Sequence, residues 1–502
     1  MIVNYVMEIS EQSHVNFSRN YFLRDIIKLL FLIGITMFLV YFLPTTFYTK
    51  IAFLFFLPII YYSKNDFLWL AWFFIIIDAP GLLFKGGLVD DPNRLPIYTI
   101  AAGASISFVE LVIAVFLLKT LIRKRFKTTI IYKKHFQIFA LLLAFYSLVT
   151  MFFFEFSIVQ LVRVVFPWTI VYSSCVLLNE EKTIDRLSNL LFFFVFLVVL
   201  TQVYSFSSGE HIVNLLKPEM YHIKSHLSRE VSEYATTASR TLYSMFLVFY
   251  TTIFSIIYIF KRKGVFRKEY LYLVLSFSFL ACILSGTRGY LLAISVIIGV
   301  SFLIKMRSVK QFFKTVLFII IVPFIVFFLK FLNPVISRQL GLVFERFETM
   351  LFLFEGDLTA GGTLIRITER IPRIMAVIKE SPVFGFGFSN IYFENADSDV
   401  GFFTNILNIG FLGIILLYSL LMSLLKRTLY YTQNHSFINK HGRIGSIFII
   451  GFIGIQIFHF TTNVAFGLAP GANAAIYERY MIYGLVLAAI NTFVVNLNPK
   501  RT

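Results

Sequence analysis

Long apolar stretches, separated by short polar ones, recur along the whole chain. They are continuous rather than alternating, and most reach the roughly 17–25 residues that a helix needs to cross a bilayer. The pattern therefore predicts an all-α, polytopic integral membrane protein with about fourteen transmembrane helices. The predicted spans are 26–43, 46–62, 66–84, 97–119, 136–154, 157–178, 187–206, 240–260, 269–285, 289–305, 311–332, 401–425, 445–465 and 474–497.

The boundary between the second and third spans is the weakest feature of this pattern. Lys64, Asn65 and Asp66 interrupt one long apolar stretch. The interruption indicates either a loop between two spans or the turn of a broken hairpin. An even number of spans requires that both segments cross the membrane.

Basic residues predict the orientation, because short cytoplasmic loops are enriched in lysine and arginine. In the fourteen-span arrangement, all the basic segments fall on one side: 119–134, 261–268, 305–314, 426–443 and 500–501. A miscounted span in the middle would have moved the later segments to the other side. We therefore expect both termini to be cytoplasmic.

Composition excludes several other classes of protein. The chain is 58% hydrophobic and 14% charged, which is more apolar than a soluble domain. Its net charge of +18 is spread over loops instead of one face, so nucleic acid is not an expected partner, whereas membrane lipids are. No metal-ligand run or nucleotide-binding loop is present in the sequence, and neither a metal nor a cofactor is expected.

The sequence divides into three regions, of which the middle one is a long external (periplasmic-side) loop. Residues 1–332 hold the first eleven predicted spans, 333–400 form the loop, and 401–502 hold the last three spans and a cytoplasmic tail. The loop alone is long enough to contain structure of its own, including amphipathic helices, and we expect it to carry the chemistry.

Three arginines in this loop would share one face of a helix. Arg366, Arg370 and Arg373 are spaced i, i+4 and i+7, and a set of isoleucines marks the adjacent face. Guanidinium groups suit phosphate oxygens, so the segment is a candidate phosphate site. Pro372 should kink or divide this helix. The alternative is a solvated charged face near lipid head groups.

Acidic residues follow the arginines, immediately before the next span. Glu394, Asp397 and Asp399 precede the span that begins near Gly401. A carboxylate at this position could act as a general base toward a substrate hydroxyl. Alternatively, the cluster simply hydrates the start of a helix, where negative charge is favoured.

Four further charged residues lie in or beside apolar segments. Arg288 occupies the tight turn Ser285-Gly286-Thr287-Arg288-Gly289, and Arg240 lies at the external start of its span. Arg163 and Glu110 lie deep within predicted spans, where an ionisable group is by default functional or paired with another charge. These two could bind substrate, or they could neutralise one another as a structural pair.

These features together resemble the O-antigen polymerase and O-antigen ligase superfamily. The turn around Arg288 resembles that family's serine-arginine-glycine turn. Arg366, followed by Pro382-Val383-Phe384-Gly385-Phe386-Gly387, resembles its external-loop pattern. Gly410-Phe411-Leu412-Gly413 resembles the glycine pair after that loop. The motifs cover about residues 285–415, in the family's order and on one side of the membrane.

The resemblance implies a multi-pass glycosyltransferase of the cytoplasmic (inner) membrane. It would use an undecaprenyl-pyrophosphate-linked oligosaccharide at the outer face, without a metal or a nucleotide sugar. Arg288 and Arg366 would stabilise the pyrophosphate leaving group. Supporting cations would be Arg370, Arg373, Arg240 and Arg163. The expected partners are the lipid-linked oligosaccharide and membrane lipids; binding of a chain-length regulator protein is left open.

One departure from the family pattern favours a polymerase over a ligase. Ligases of this family carry a histidine shortly before the glycine pair, but residues 395–401 here read Asn-Ala-Asp-Ser-Asp-Val-Gly. In a polymerase, Asp399 or Asp397 would deprotonate the acceptor hydroxyl, and the sequence does not select between them. The alternatives are an O-antigen ligase and, from another class, a flippase for lipid-linked oligosaccharides.

Overall fold

The structure is a computed structural model, and helices dominate it. It describes residues 22–40, 47–78, 95–101, 104–124, 130–208, 245–260, 266–285, 288–305, 366–397, 400–433, 447–456, 468 and 477–497, with isolated positions between 313 and 341. Residues 333–365, which form the first half of the predicted external loop, therefore fall almost entirely outside the described residues.

The helices before the external loop are α1 (22–40), α2 (Phe47–Leu54), α3 (Phe56–Tyr62), α4 (Asp66–Asp78), α5 (Phe108–Lys119), α6 (Lys133–Phe153), α7 (Ile158–Val165), α8 (Thr169–Leu177), α9 (Glu181–Ser208), α10 (Met245–Phe260), α11 (Lys268–Leu284) and α12 (Arg288–Lys305). The later helices are α13 (Ile371–Ile378), α14 (Asn390–Asn395), α15 (Gly401–Gln433), α16 (Ile447–Gln456) and α17 (Tyr477–Leu497). A 3₁₀ turn joins α7 to α8, and π-helical turns follow α5 and precede α13.

Four of the described helical segments are long and apolar enough to cross a membrane. They are Lys133–Phe153, Ile158–Leu177, Glu181–Tyr204 and Gly401–Tyr430. Four shorter apolar helical segments coincide with other predicted spans: Phe47–Tyr62, Phe246–Phe260, Gly289–Leu303 and Ile447–Gln456. This architecture is that of a helical membrane protein, whereas the total of fourteen spans stays a prediction.

A β-hairpin corrects the prediction that residues 97–119 form one helical span. Strands β1 (Ile97–Ala101) and β2 (Ala104–Ser107) pair antiparallel, with Tyr98 opposite Ile106. Helix α5 begins only at Phe108, where Ser107 and Glu110 form a reciprocal capping box. Hydropathy alone did not reveal the strands, because β-branched residues such as Ile97 and Ile100 are as apolar as a membrane-spanning helix would require.

The interruption between α3 and α4 is the turn of an antiparallel helical hairpin. The Phe56 ring stacks on the Trp72 ring, with 5.4 Å between the ring centroids. It also makes a T-shaped contact with the Trp69 ring at a centroid distance of 6.2 Å. Lys119 closes the turn: it forms a buried ion pair with Asp66, and its Nζ donates to the Ile60 and Ser63 carbonyls at 2.9 and 2.6 Å. The Lys119 ammonium group thus donates hydrogen bonds to backbone carbonyls at the end of α3, where the helix itself supplies no donor.

The core lies among the helices on both sides of the external loop. Helix α17 packs along α8 and also contacts α10 and α4, while α11 packs against α9 and α10. Aromatic rings fill the contact between α17 and the turn after α7, where the ring centroids of Trp168 and Tyr480 lie 4.6 Å apart. The C-terminal helix is therefore a central element and not a peripheral one.

Candidate functional site

The described half of the external loop begins with a divided amphipathic helix. A π-helical turn, Arg366–Arg370, leads into α13, and Pro372 lies in the first turn of α13, where its missing N–H costs no helical bond. Ile374 and Ile378 are buried on the side that packs against α15. Ile367 stays exposed. The apolar face therefore starts after the proline.

Two arginines and one aspartate, Arg370, Arg373 and Asp397, form what we call the loop ion cluster. Arg370 Nη1 lies 3.3 Å from Asp397 Oδ1, and Arg373 Nη2 lies 3.3 Å from Asp397 Oδ2. The Asp397 side chain is 11% exposed, whereas the two arginines are 37% and 61% exposed. Arg373 uses one nitrogen here and is the more exposed of the two, so its other donors can bind a further anion. Among the described residues, Arg366 forms no ion pair.

Thr404, in the first turns of α15, holds the backbone of Asp397. The Asp397 N–H donates to Thr404 Oγ1 at 3.2 Å, and the Thr404 hydroxyl donates to the Asp397 carbonyl at 2.7 Å. Thr404 is fully buried. The carboxylate therefore has a fixed position relative to α15.

Helix α15 is broken at Gly410, and the loop segment 382–387 fills the break. Gly410 has φ 61° and ψ −177°, which is incompatible with a continuous helix. On one side of the break, the Leu407 and Asn408 carbonyls accept from Phe386 N and Gly387 N at 2.9 and 2.7 Å. We call the contact between segment 382–387 and residues 407–412 the loop joint.

The backbone groups on the other side of the break are also paired. The N–H groups of Phe411 and Leu412 donate to the Pro382 and Val383 carbonyls at 2.9 and 3.1 Å. Before the break, the Tyr146 hydroxyl of α6 also donates to the Ile409 carbonyl at 2.6 Å. In a membrane, an unpaired backbone group costs several kcal/mol, so a broken helix needs these substitutes. The loop supplies them.

Glycines make this close approach possible. Gly385 and Gly410 both have positive φ, and a Cβ built on Gly385 would lie 2.5 Å from Gly410 N. A Cβ on Gly410 would overlap the Val383 carbonyl. The loop motif and the glycine pair of the next helix, which are separate patterns in the sequence, are thus two halves of one contact.

The loop also rests on the external end of α6. The Phe388 N–H donates to Thr150 Oγ1 at 2.7 Å, and the Asn390 N–H donates to the Glu155 carbonyl at 3.1 Å. Helix α14 follows directly, with the Ser389 side chain accepting from the Tyr392 N–H. The position of Asp397 is therefore set by α6, α14 and α15 together.

Arg163 and Glu110 form a pair, but not deep within two spans as the sequence predicted. Arg163 Nε lies 3.5 Å from Glu110 Oε1, and Arg163 Nη2 donates to the Ser105 carbonyl and hydroxyl at 2.5 and 2.8 Å. Because 97–107 is a hairpin, Glu110 lies in the first turn of α5, and its other oxygen accepts from Ser107 N. The Arg163 side chain is 41% exposed. This pair therefore ties a helix start to the hairpin.

The structure does not describe the side chains of three predicted site residues. Arg288 is the first residue of α12, and its side chain lies outside what the structure describes. Arg240 and Asp399 lie outside the described residues altogether. The structure thus brings Arg370, Arg373 and Asp397 together. It does not describe the side-chain contacts of Arg288, Arg240 and Asp399.

The sequence reading missed a buried arginine beneath the loop. Arg479, in the first turn of α17, is 1% exposed. Its charge acts on the fully buried Tyr392 of α14: burial raises the pKa of that phenol, and Arg479 partly opposes the rise. The signal was present, since an arginine inside the predicted span 474–497 is a functional candidate by default.

The fold and this site define a helical membrane protein in which the loop predicted to be external is joined to a broken helix. Residues 271–417 match the family model described as O-antigen ligase, a stretch that includes Arg288, the loop ion cluster and the loop joint. The match supports the O-antigen polymerase and ligase superfamily, without separating the two activities. Its members are glycosyltransferase-like membrane enzymes that act on lipid-linked sugars. No curated protein matches the chain.

Proposed function

We propose that the protein is a polysaccharide repeat-unit polymerase. It would move a glycan from an undecaprenyl-pyrophosphate carrier onto a sugar hydroxyl of another lipid-linked repeat unit, at the external face of the cytoplasmic membrane. The observation that carries the proposal is the loop ion cluster, in which two partly exposed guanidiniums converge on one carboxylate inside the family-matched segment.

The arginines suit the leaving group of this reaction. Pyrophosphate gains negative charge as its bond to the sugar breaks, and fixed cations that meet this charge lower the barrier. Arg373 is 61% exposed beside Asp397, Arg370 lies next to it, and Arg366 adds a third guanidinium. Arg288 begins α12, where the helix dipole adds positive character. We assign these four arginines to pyrophosphate.

The chemical step needs a base as well as cations. The acceptor hydroxyl oxygen attacks the anomeric carbon, its proton passes to a carboxylate, and the bond between the anomeric carbon and the phosphate oxygen breaks. Undecaprenyl pyrophosphate then leaves. Both Asp397 oxygens contact guanidiniums. We therefore assign Asp397 to orienting Arg370 and Arg373, and Asp399 to accepting the proton. Arg163, bonded to Glu110 and Ser105, receives a structural role.

A ligase is the second candidate, because the matched family model is described by that activity. The stretch 395–401 lacks the histidine that the resemblance leads us to expect of a ligase. A deletion strain distinguishes the two activities. Loss of a polymerase leaves single carrier-linked repeat units, whereas loss of a ligase leaves long carrier-linked chains.

The proposal is tested by replacing both cluster arginines. Arg370→Gln with Arg373→Gln should reduce in vitro polymerisation of a lipid-linked repeat unit by 100-fold or more, since removing one such donor typically costs about 10²–10³ in rate. Lys379→Gln is the matched control, because Lys379 is an exposed cation just after α13. Long chains made at the normal rate by the double variant would refute the assignment.

A further inference from the structure

A buried carboxylate lies at the end of α4, in the part of the helix bundle predicted to face outward. Asp78 is the last residue of this helix, and it is 6% exposed. Negative charge is unfavourable at the C-terminus of its own helix, where the dipole is also negative. An ionisable group within a predicted span is costly as well, unless it is paired or functional. The position of Asp78 therefore calls for a partner outside α4.

That partner is the start of α10. The backbone N–H groups of Phe246 and Leu247 donate to the two oxygens of Asp78, one to each, at 3.0 and 2.8 Å. These groups lie in the first turn of α10, where a helix supplies no acceptor of its own and its dipole favours an anion. Next to this contact, Phe74 of α4 packs on Tyr250 of α10, with 6.4 Å between the ring centroids. Asp78 thus caps a helix other than its own.

The same carboxylate lies close to the start of α12. Tyr290, in the first turn of α12, is buried, and the charge of Asp78 acts on its hydroxyl. The Tyr290 ring also makes a T-shaped contact with the ring of Phe249, one turn into α10, at a centroid distance of 5.3 Å. Arg288 is the first residue of α12. The ends of α4, α10 and α12 thus meet around Asp78, and we call this meeting point the helix-end junction.

We propose that Asp78 is a positioning residue, which holds the starts of α10 and α12 together and thereby fixes the position of Arg288. That Arg288 meets pyrophosphate rests on the proposed function; the helix-end junction does not. Misplacing a binding group by about 1 Å can cost roughly 100-fold in rate, so a rigid start of α12 has a clear use. Asp78 lies outside the family-matched residues 271–417. The matched segment would therefore depend on a residue that is not part of it.

Hydrogen exchange tests the helix-end junction without requiring catalysis. The full-length protein is placed in phosphatidylcholine nanodiscs, and amide exchange is followed by mass spectrometry. Asp78→Asn keeps the shape of the side chain but presents an NH₂ group to one backbone N–H, which loses its acceptor. We expect exchange to become at least tenfold faster at residues 246–247 and at least threefold faster at 290–293. Unchanged exchange at the start of α12 would overturn the proposal.

Asp66→Asn is the matched control for loss of stability. Asp66 is a buried carboxylate at the opposite end of the same helix, and it pairs with Lys119. This variant should lower Tm about as much as Asp78→Asn, but leave exchange at the starts of α10 and α12 unchanged. Asp78→Glu, which keeps the charge, should retain part of the protection. If Asp66→Asn and Asp78→Asn loosened these starts equally, Asp78 would contribute stability alone, and the positioning role would be wrong.

A double-mutant cycle tests whether Asp78 acts through Arg288. The probe is undecaprenyl pyrophosphate, titrated into the same nanodiscs. We expect Arg288→Gln to weaken binding at least tenfold and Asp78→Asn at least fivefold. The double variant should bind no more than twofold more weakly than Arg288→Gln alone, because only coupled residues depart from additivity. Two losses that simply multiply would overturn the positioning role.

Failure of the proposed function gives a different result. If Arg288→Gln bound the probe as tightly as the wild type, while Asp78→Asn still loosened the start of α12, the helix-end junction would stand and the pyrophosphate role of Arg288 would fall. Coupled losses of affinity in a protein that makes no polymer would support the positioning role and refute the polymerase.

Discussion

At the scale of single residues, the contacts of Asp397 bear on which carboxylate acts as the base. Each of its oxygens faces a different guanidinium, and its backbone is held by Thr404. A carboxylate with both oxygens engaged has few lone pairs left for an acceptor hydroxyl. It is, however, well placed to hold two arginines at a fixed separation. The sequence alone did not distinguish these roles, because it does not reveal which side chains converge on Asp397.

Asp397→Asn tests the orienting role. The amide keeps the shape of the side chain but presents an NH₂ group to one guanidinium, which loses its acceptor. We expect the polymerisation rate to fall about 10- to 100-fold, as for a misplaced positioning group, while the pH dependence of the remaining activity stays unchanged. Glu369→Gln is the matched control, since Glu369 is an exposed carboxylate in the same loop. If instead Asp397 were the base, the fall in polymerisation rate at acidic pH, which protonation of the base causes, would be absent from the Asp397→Asn variant.

At the scale of elements, the loop joint shows how a helix can break inside a membrane protein without leaving its backbone unpaired. Carbonyls before Gly410 and N–H groups after it are bonded to the segment 382–387. The joint also fixes the start of α14, and through it the approach to Asp397. The break therefore has a function in positioning the site.

Gly410→Ala should disrupt the joint. The backbone of Gly410, with φ 61° and ψ −177°, lies in a region that is almost restricted to glycine and costs other residues about 1–3 kcal/mol. The new Cβ would also overlap the Val383 carbonyl, which is backbone and cannot rotate away. We expect a lower Tm in detergent and a loss of polymerisation. Gly299→Ala is the matched control, because Gly299 lies within α12 with nothing within 4 Å of its Cβ position, and alanine favours a helix by about 0.5–1 kcal/mol. A Gly410→Ala protein as stable as the control would contradict this account of the joint.

Local patterns predicted most of the elements but not their contacts. Segment 382–387, which the sequence analysis used only for the family resemblance, carries a proline and two glycines, residues that commonly end a helix, and it separates α13 from α14 in the structure. That the segment would fill a break more than twenty residues later follows from no local pattern, because the partners are backbone groups. The hairpin at 97–107 was missed for a related reason: hydropathy measures burial and does not separate a strand from a helix.

At the scale of the whole molecule, ion pairs lie near both predicted faces of the membrane. Asp25 and Arg186, bonded at 2.7 Å, and Lys119 with Asp66 lie at ends predicted to be cytoplasmic. Arg163 with Glu110 and the loop ion cluster lie at ends predicted to be external. The lysines and arginines of the loops thus predicted an orientation. Of these pairs the sequence suggested only Arg163 with Glu110, as one of two alternatives, since pairing depends on packing.

Labelling of two introduced cysteines tests the orientation on which external chemistry depends. Glu394 is exposed just before α15, and Lys426 is exposed near the far end of that helix. The native Cys175 and Cys282 are fully buried, so background reaction with a maleimide should be low. In intact cells, a membrane-impermeant maleimide should label Glu394→Cys at once and Lys426→Cys only after permeabilisation. The wild-type chain is the control. The reverse pattern would place the loop ion cluster on the cytoplasmic side, away from substrates that are polymerised outside, and the polymerase proposal would fail with it.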